Sequence, residues 1–315
     1  MNENTTFPKL ISGIAVVAAI ATAIFGVTTR NDPPDSLFVG KAPAAAKPAL
    51  ANPARFRGPQ GRVGQFVVKC TYSHSGPFDP IVHPNMPGMS HRHDFYGAPS
   101  TDASTKAADL IGGKTTCNKS PDTAAYWQPT LYDHDTAVVP DSIYAYYRAA
   151  PGVDPKSLAT MPTGLALIAG DATATKPQPG EASGWTCGSR SGISDEVPRC
   201  PAQAPLHLIL TFQDCWDGKH LEAEDFRAHA AYSRDGQCPE THPVHIPQLM
   251  VSVKFPIFGA GHELRLASGN MYSAHGDFLN GWDPKGLQRE IDACLKTGQI
   301  CDLASNRGEE YLFTG

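Results

Sequence analysis

Residues Leu206–Phe212 read LHLILTF, and their alternation decides the fold class. Leu206, Leu208, Leu210 and Phe212 share one face of an extended chain, and His207 points to the other. Leu249, Val251, Val253 and Phe255 repeat the pattern, with His262–Leu266 following. Upstream, Phe66, Val68, Cys70 and Tyr72 alternate within Gln65–Tyr72. Ser142–Arg148 (SIYAYYR) and Gly164–Ala169 also read as strands. Ala125–Tyr132 reads as a strand end or edge, because Pro129 cannot donate to a ladder. Between these runs lie long loops. Ser73–Gly88 is broken by Pro77, Pro80, Pro84 and Pro87, and Thr101–Ala108 is loop or short helix. Lys176–Pro201, rich in Gly, Pro and Ser, reads as a disulfide-tied loop. One helix is expected. Asp283 caps it, Pro284 takes its first position, Leu287, Ile291 and Leu295 form its stripe, and Gly298 ends it. The expected fold is mainly β: a single sandwich-like or distorted-barrel domain with long disulfide-tied loops and one C-terminal helix.

Leu10–Val27 is uncharged and apolar, at the lower edge of a membrane span. A signal anchor in residues 10–27 is expected, with a cleaved signal as the alternative. Lys41–Pro53 is an Ala/Pro spacer that cannot bury enough surface to fold. The expected division is therefore 1–30 anchor or signal, 31–60 linker and 61–315 folded domain. Either form of export places the domain outside the cytoplasm. There the eight cysteines favour disulfides, and the simplest pairing is sequential: Cys70–Cys117, Cys187–Cys200, Cys215–Cys238 and Cys294–Cys301. A net charge of −5, with no basic excess, argues against nucleic acid as a partner.

Chemistry-bearing side chains are densest in Asp79–Gly97 (DPIVHPNMPGMSHRHDFYG), which holds His83, His91 and His93 with Met86, Met89, Asp79 and Asp94. Further motifs surround it: Tyr126-Trp127-Gln128-Pro129, Asp214-Cys215-Trp216-Asp217-Gly218, Cys238-Pro239 with His242-Pro243-Val244, and His275-Gly276-Asp277-Phe278 with Asn280-Gly281-Trp282. In this order they resemble the exported family known as domain of unknown function nineteen-ninety-six, of actinobacteria and fungi. The resemblance spans roughly Gly64–Cys301. It implies export and a shared polar site, and no activity. Met86 and Met89 stand outside it.

Three readings follow from the residues. In the first, His91 and His93, with His275 or His242 as the third ligand, hold a divalent metal such as zinc or copper, with Asp277 or Asp79 as ligand or orienting group. In the second, Asp79, Asp217, Asp277 and His242 supply acid/base catalysis on an envelope or extracellular polysaccharide. Tyr126, Trp127, Trp216 and Trp282 would then stack on sugar rings, although tryptophans more commonly pack in cores. In the third, His83, Met86 and Met89 join His91 and His93 as soft and imidazole ligands for copper. A binding module without catalysis is the alternative to a hydrolase. Glu222 and Glu224 lie in a polar run and read as solvated.

Overall fold

The computed structural model describes residues 63–179, 182–188 and 192–301. The anchor expected at 10–27 and the spacer at 41–53 lie outside these residues. In chain order the elements are β1 (Gln65–Gly76), β2 (His93–Gly97), α1 (Ala107–Leu110), β3 (Ala125–Pro129), β4 (Leu131–Asp133), β5 (Thr136–Val138), β6 (Ser142–Arg148), β7 (Ala166–Gly170) and β8 (Ser183–Cys187). Then come β9 (Leu206–Thr211), β10 (Cys215–Trp216), β11 (Ala230–Ala231), β12 (Val244–His245), β13 (Gln248–Lys254), β14 (Leu264–Leu266), β15 (His275–Leu279), α2 (Pro284–Glu290) and β16 (Ile300–Cys301).

The main sheet runs β7-β15-β3-β2-β1-β6-β13-β9-β8, with β16 paired in parallel to β1. It curls until its ends approach. Just past β9, Gln213 donates from Nε2 to the Ile168 carbonyl on β7 at 2.9 Å. Across the interior, a Cβ on Gly276 would meet the end of the Leu210 side chain on β9, so glycine there lets Leu210 pack against β15. The result is the expected β-rich, nearly closed barrel with one C-terminal helix.

Period-two alternation separates two cores. Phe66, Val68, Tyr96, Tyr126, Leu167, Leu208, Leu210 and Phe278 point inward and form the large one. On β2, β3, β7 and β15 the intervening residues Phe95, Ala125, Trp127, Ala166, Ile168 and Leu279 form a second, outer cluster. Ile81, Leu110 and Phe226 cover that cluster from loops and α1. These four strands are therefore buried on both faces. That is why they lack the clean hydrophobic/polar alternation of a half-exposed strand.

Two expectations about elements change. Within Lys176–Pro201 the chain forms β8, which pairs antiparallel with β9 and buries Trp185. Its Ser-Gly composition resembles a loop, but the glycine has a packing role: a Cβ on Gly184 would strike Ile193. The segment Ala125–Pro129 is an interior strand between β15 and β2, with Pro129 at its last position. Of the two expected placements, the strand end is the one observed. α2 starts as expected, with the Asp283 carboxylate accepting from Gly286 N, and passes into a π-helical turn over Ile291–Leu295.

The four disulfides pair sequentially, and all eight cysteines are used. In a chain-entropy account, the bridge spanning a separation of 47 residues contributes about 4 kcal/mol. Such a framework fits an extracellular, oxidising setting. No helix among the described residues is long and apolar enough to cross a membrane.

Candidate metal centre

The site sits on the outer face of β2, β3 and β15, over the second cluster. Strand parity puts it there. His93 and Phe95 alternate on β2, and Phe95 pairs with Trp127. Trp127 in turn pairs with Asp277, two residues from His275 on β15. His91 enters from the loop just before β2. The His91 and His93 rings lie 4.3 Å apart, and the His275 ring lies 5.0 Å and 5.7 Å from them. One donor atom from each of the three lies within 4.8 Å of the others. Asp79, His93 and Asp277 meet the same criterion, so five donors gather around His93.

Hydrogen bonds fix which ring atoms face inward. His93 Nδ1 donates to the Phe78 carbonyl at 2.8 Å, and His275 Nδ1 donates to the Ser273 carbonyl at 2.9 Å. Both rings then carry a lone pair on Nε2. Asn270 caps the short 3-10 turn Met271–Ser273, which aims the Ser273 carbonyl. This is the arrangement that orients metal-binding imidazoles: a carbonyl behind, a bare nitrogen in front. His91 Nε2, His93 Nε2 and Asp277 Oδ2 are buried without a hydrogen-bond partner among the described residues. Each such atom costs about 1–3 kcal/mol if nothing satisfies it. Two of them, on His91 and His93, belong to one donor group, and Asp277 belongs to a second group that shares His93, a pattern that a bound cation resolves.

The electrostatics agree. Burial pushes the His91 imidazole down to about 4 and His275 to about 3, and takes His93 well below the ordinary range, with His91 and His275 adding repulsion there. All three are therefore neutral ligands at neutral pH. Burial, and then the Asp79 charge, raises Asp277 well above the usual carboxylate range. Asp79 is raised by burial, although its Oδ1 accepts from Ile81 N and Val82 N at 3.0 Å and 2.9 Å. Arg227 exerts a compensating charge on Asp277, yet its guanidinium donates to the Ile168 and Gly170 carbonyls instead.

These shifts carry a sign. A carboxyl raised on folding destabilises the metal-free protein at neutral pH, and stability returns as pH falls through its folded pKa. The Asp277→Asn variant is expected to be more stable than wild type without metal, by about 1–3 kcal/mol at neutral pH. That gain should shrink toward acid, and metal affinity should fall. Denaturant titrations at several pH values check this. A neutral-pH loss of stability would contradict it.

Other residues singled out in the sequence lie apart from this cluster. Asp217 accepts from the Lys219 and His220 backbones and pairs with the His220 ring at 2.6 Å. His242 is partly exposed and bonds the Ala228 carbonyl. Neither belongs to the donors gathered around His93. Tyr126, Trp127 and Trp282 are fully buried and offer no face to a sugar. Tyr126 and Trp282 instead meet the Tyr147 hydroxyl at 2.6 Å and 3.1 Å. Trp216 alone among the four aromatics stays partly exposed, with Nε1 donating to the His220 carbonyl.

Sequence reading missed Arg227, whose loop gave no motif. Glu222 is exposed, as expected of a solvated acid, and partial burial and then the Asp79 charge raise it.

No curated protein and no solved structure matches this chain. One family description does, over residues 79–282, more than half of the chain and inclusive of all five donors. The chain belongs to the family described as Domain of unknown function (DUF1996).

Proposed function

We propose that this protein is an extracytoplasmic metalloprotein that holds one divalent first-row metal ion through His91, His93 and His275, with the carboxylates of Asp277 and Asp79 beside it. The observation that carries the reading is the convergence of three neutral imidazoles, two of them locked by carbonyls with Nε2 bare. Imidazole ligands suit zinc, copper, iron and nickel, and added carboxylates favour the harder ions of that set. An ion at such a site supplies Lewis acidity and lowers the pKa of a bound water. The chain's own contribution is to hold the imidazoles in one tautomer. It also holds Asp277, through burial and then the Asp79 charge, well above the usual carboxylate range before metal binds, so that this carboxyl can carry a proton.

Hydrolysis of an extracellular polymer is the reaction this donor set serves, and an envelope polysaccharide is the substrate class we favour. Partly exposed Trp216 is its one aromatic support among the four residues considered. Metal-dependent hydrolysis is preferred to a metal-free carboxylate pair because Asp217 and His242 are engaged elsewhere.

The test is elemental analysis of protein purified without a histidine tag, followed by release of reducing ends from extracellular polysaccharides. About one equivalent of metal is expected, with release that stops on chelation. Full metal occupancy in a His91→Ala/His93→Ala variant would overturn the centre. Release that survives complete chelation would overturn the metal-dependent reaction.

A further inference from the structure

The loop that leads into His91 is built as two successive turns. Met86 N donates to the His83 carbonyl at 3.1 Å, and Met89 N donates to the Met86 carbonyl at 3.3 Å. Each turn carries proline second and a residue of positive φ third: Pro84 then Asn85 at φ 60°, Pro87 then Gly88 at φ 86°. That is the sequence requirement of a type II turn, met twice in HPNMPGM. The pair of turns is also pinned to its surroundings. His83 N donates to Asp79 O, Asn85 N to Ala103 O and Gly88 N to Pro77 O, at 2.9 Å, 2.6 Å and 2.9 Å. A stretch that would otherwise be a pliable proline-rich loop is a fixed platform.

The platform presents unusual groups. Met86 and Met89 are 52% and 64% exposed, and Met89 is the most exposed large hydrophobic among the described residues. Neither packs into the outer cluster beneath, so covering apolar surface does not explain them. The His83 ring has no hydrogen bond among the described residues, and its backbone N–H bonds the carbonyl of Asp79, one of the five donors, which sets it beside the inner centre. Turn geometry keeps the Cα atoms of His83 and Met86, and those of Met86 and Met89, within about 7 Å. Flexible thioether side chains can converge across that distance. A patch that served only apolar docking would use leucine or valine equally well. Two thioethers with an unbonded imidazole form a soft donor set, which selects Cu(I) over harder ions.

We propose that His83, Met86 and Met89 form an outer Cu(I) site beside the His91/His93/His275 centre. The platform captures copper in its reduced state and holds it beside the inner imidazoles. This deepens the metal reading above and rests on it: copper is then one of the ions that the inner imidazoles receive, and the two sites are separable by mutation.

The test titrates the full-length apo-protein with Cu(I) against a chromophoric Cu(I) chelator under reducing, disulfide-preserving conditions, and with Zn(II) separately. Wild type is expected to take two Cu(I) equivalents. Met86→Leu/Met89→Leu should take one, with Zn(II) binding unchanged, because both side chains are exposed and the fold does not depend on them. His275→Ala should lose the inner equivalent and keep the outer one, with circular dichroism confirming that it folds. A competition curve for Met86→Leu/Met89→Leu that superimposes on wild type would overturn the outer site. If, in addition, His275→Ala loses copper, the inner centre stands alone. A single equivalent lost with the methionines and kept in His275→Ala would support the outer site and overturn the inner one. No Cu(I) bound by wild type would overturn the outer site; if no Zn(II) binds either, the inner centre is overturned as well.

Discussion

Replacing His93 with alanine is expected to abolish metal binding while leaving a folded protein. Wild type with free metal at about a hundredfold above its dissociation constant should gain about 2.7 kcal/mol of unfolding free energy. The His93→Ala variant should gain none. The expectation follows from His93's position as the shared member of both donor sets, His91/His93/His275 and Asp79/His93/Asp277. Loss of groups that merely orient ligands already weakens metal sites by about 10–100-fold, so loss of the central ligand should weaken this one by more. Without metal the substitution has opposing effects. It removes the bond to the Phe78 carbonyl and leaves a cavity, but it also removes a buried nitrogen with no partner. The diagnostic quantity is therefore the metal-induced difference, measured by denaturant unfolding with metal and with chelator. An undiminished difference in His93→Ala would place the metal elsewhere.

The second large effect concerns the attachment of α2. Lys119 Nζ and Glu290 Oε1 form an ion pair at 2.8 Å, with side chains 0% and 4% exposed. The pair ties the loop before β3 to the C-terminal helix, next to the Cys294–Cys301 bridge. Breaking a buried pair by removing one partner costs about 3–5 kcal/mol, because the other charge stays buried. The Lys119→Met variant should lose that much at neutral pH. Lys119→Met/Glu290→Leu should recover most of it, because an apolar replacement leaves no stranded charge. The pH dependence has a definite sign. Burial already raises Glu290, and loss of the lysine should raise it further. A carboxyl raised on folding is least harmful when protonated, so the deficit of the single variant should narrow as pH falls. Equal destabilisation of the single and double variants would show that Lys119 acts through packing instead.

Much of this architecture was legible because its inner strands have one strongly apolar face. β9, β13, β1 and β6 alternate plainly, and the Asp283-Pro284 start of α2 is a local signal that tertiary context did not override. Sequential disulfide pairing was also correct. β8 was hidden because its residues are small, and its identity comes from its partner β9. β2, β3, β7 and β15 are buried on both faces, so their register, and with it the meeting of His93, Trp127, Asp277 and His275, could not be read from periodicity. Within the site, the triad of histidines was legible as residue types. What brought them together was long-range pairing, which no local pattern encodes. The aromatic residues show the converse. Tyr126, Trp127 and Trp282 looked like ligand platforms beside polar motifs, but the strand and turn that carry them are core elements. Asp217 and His242 are polar for local reasons: one closes a turn with His220, and the other ties a loop to the Ala228 carbonyl.

The central claim is that an ion occupies the space between His91, His93 and His275. Anomalous diffraction at the absorption edge of the metal found by elemental analysis tests it most directly. The account predicts one strong peak about 2.0–2.1 Å from His93 Nε2 and His275 Nε2, with His91 completing the set. Diffraction from metal-replete crystals with no anomalous peak there, and with the histidine nitrogens bonded only to water, would contradict it.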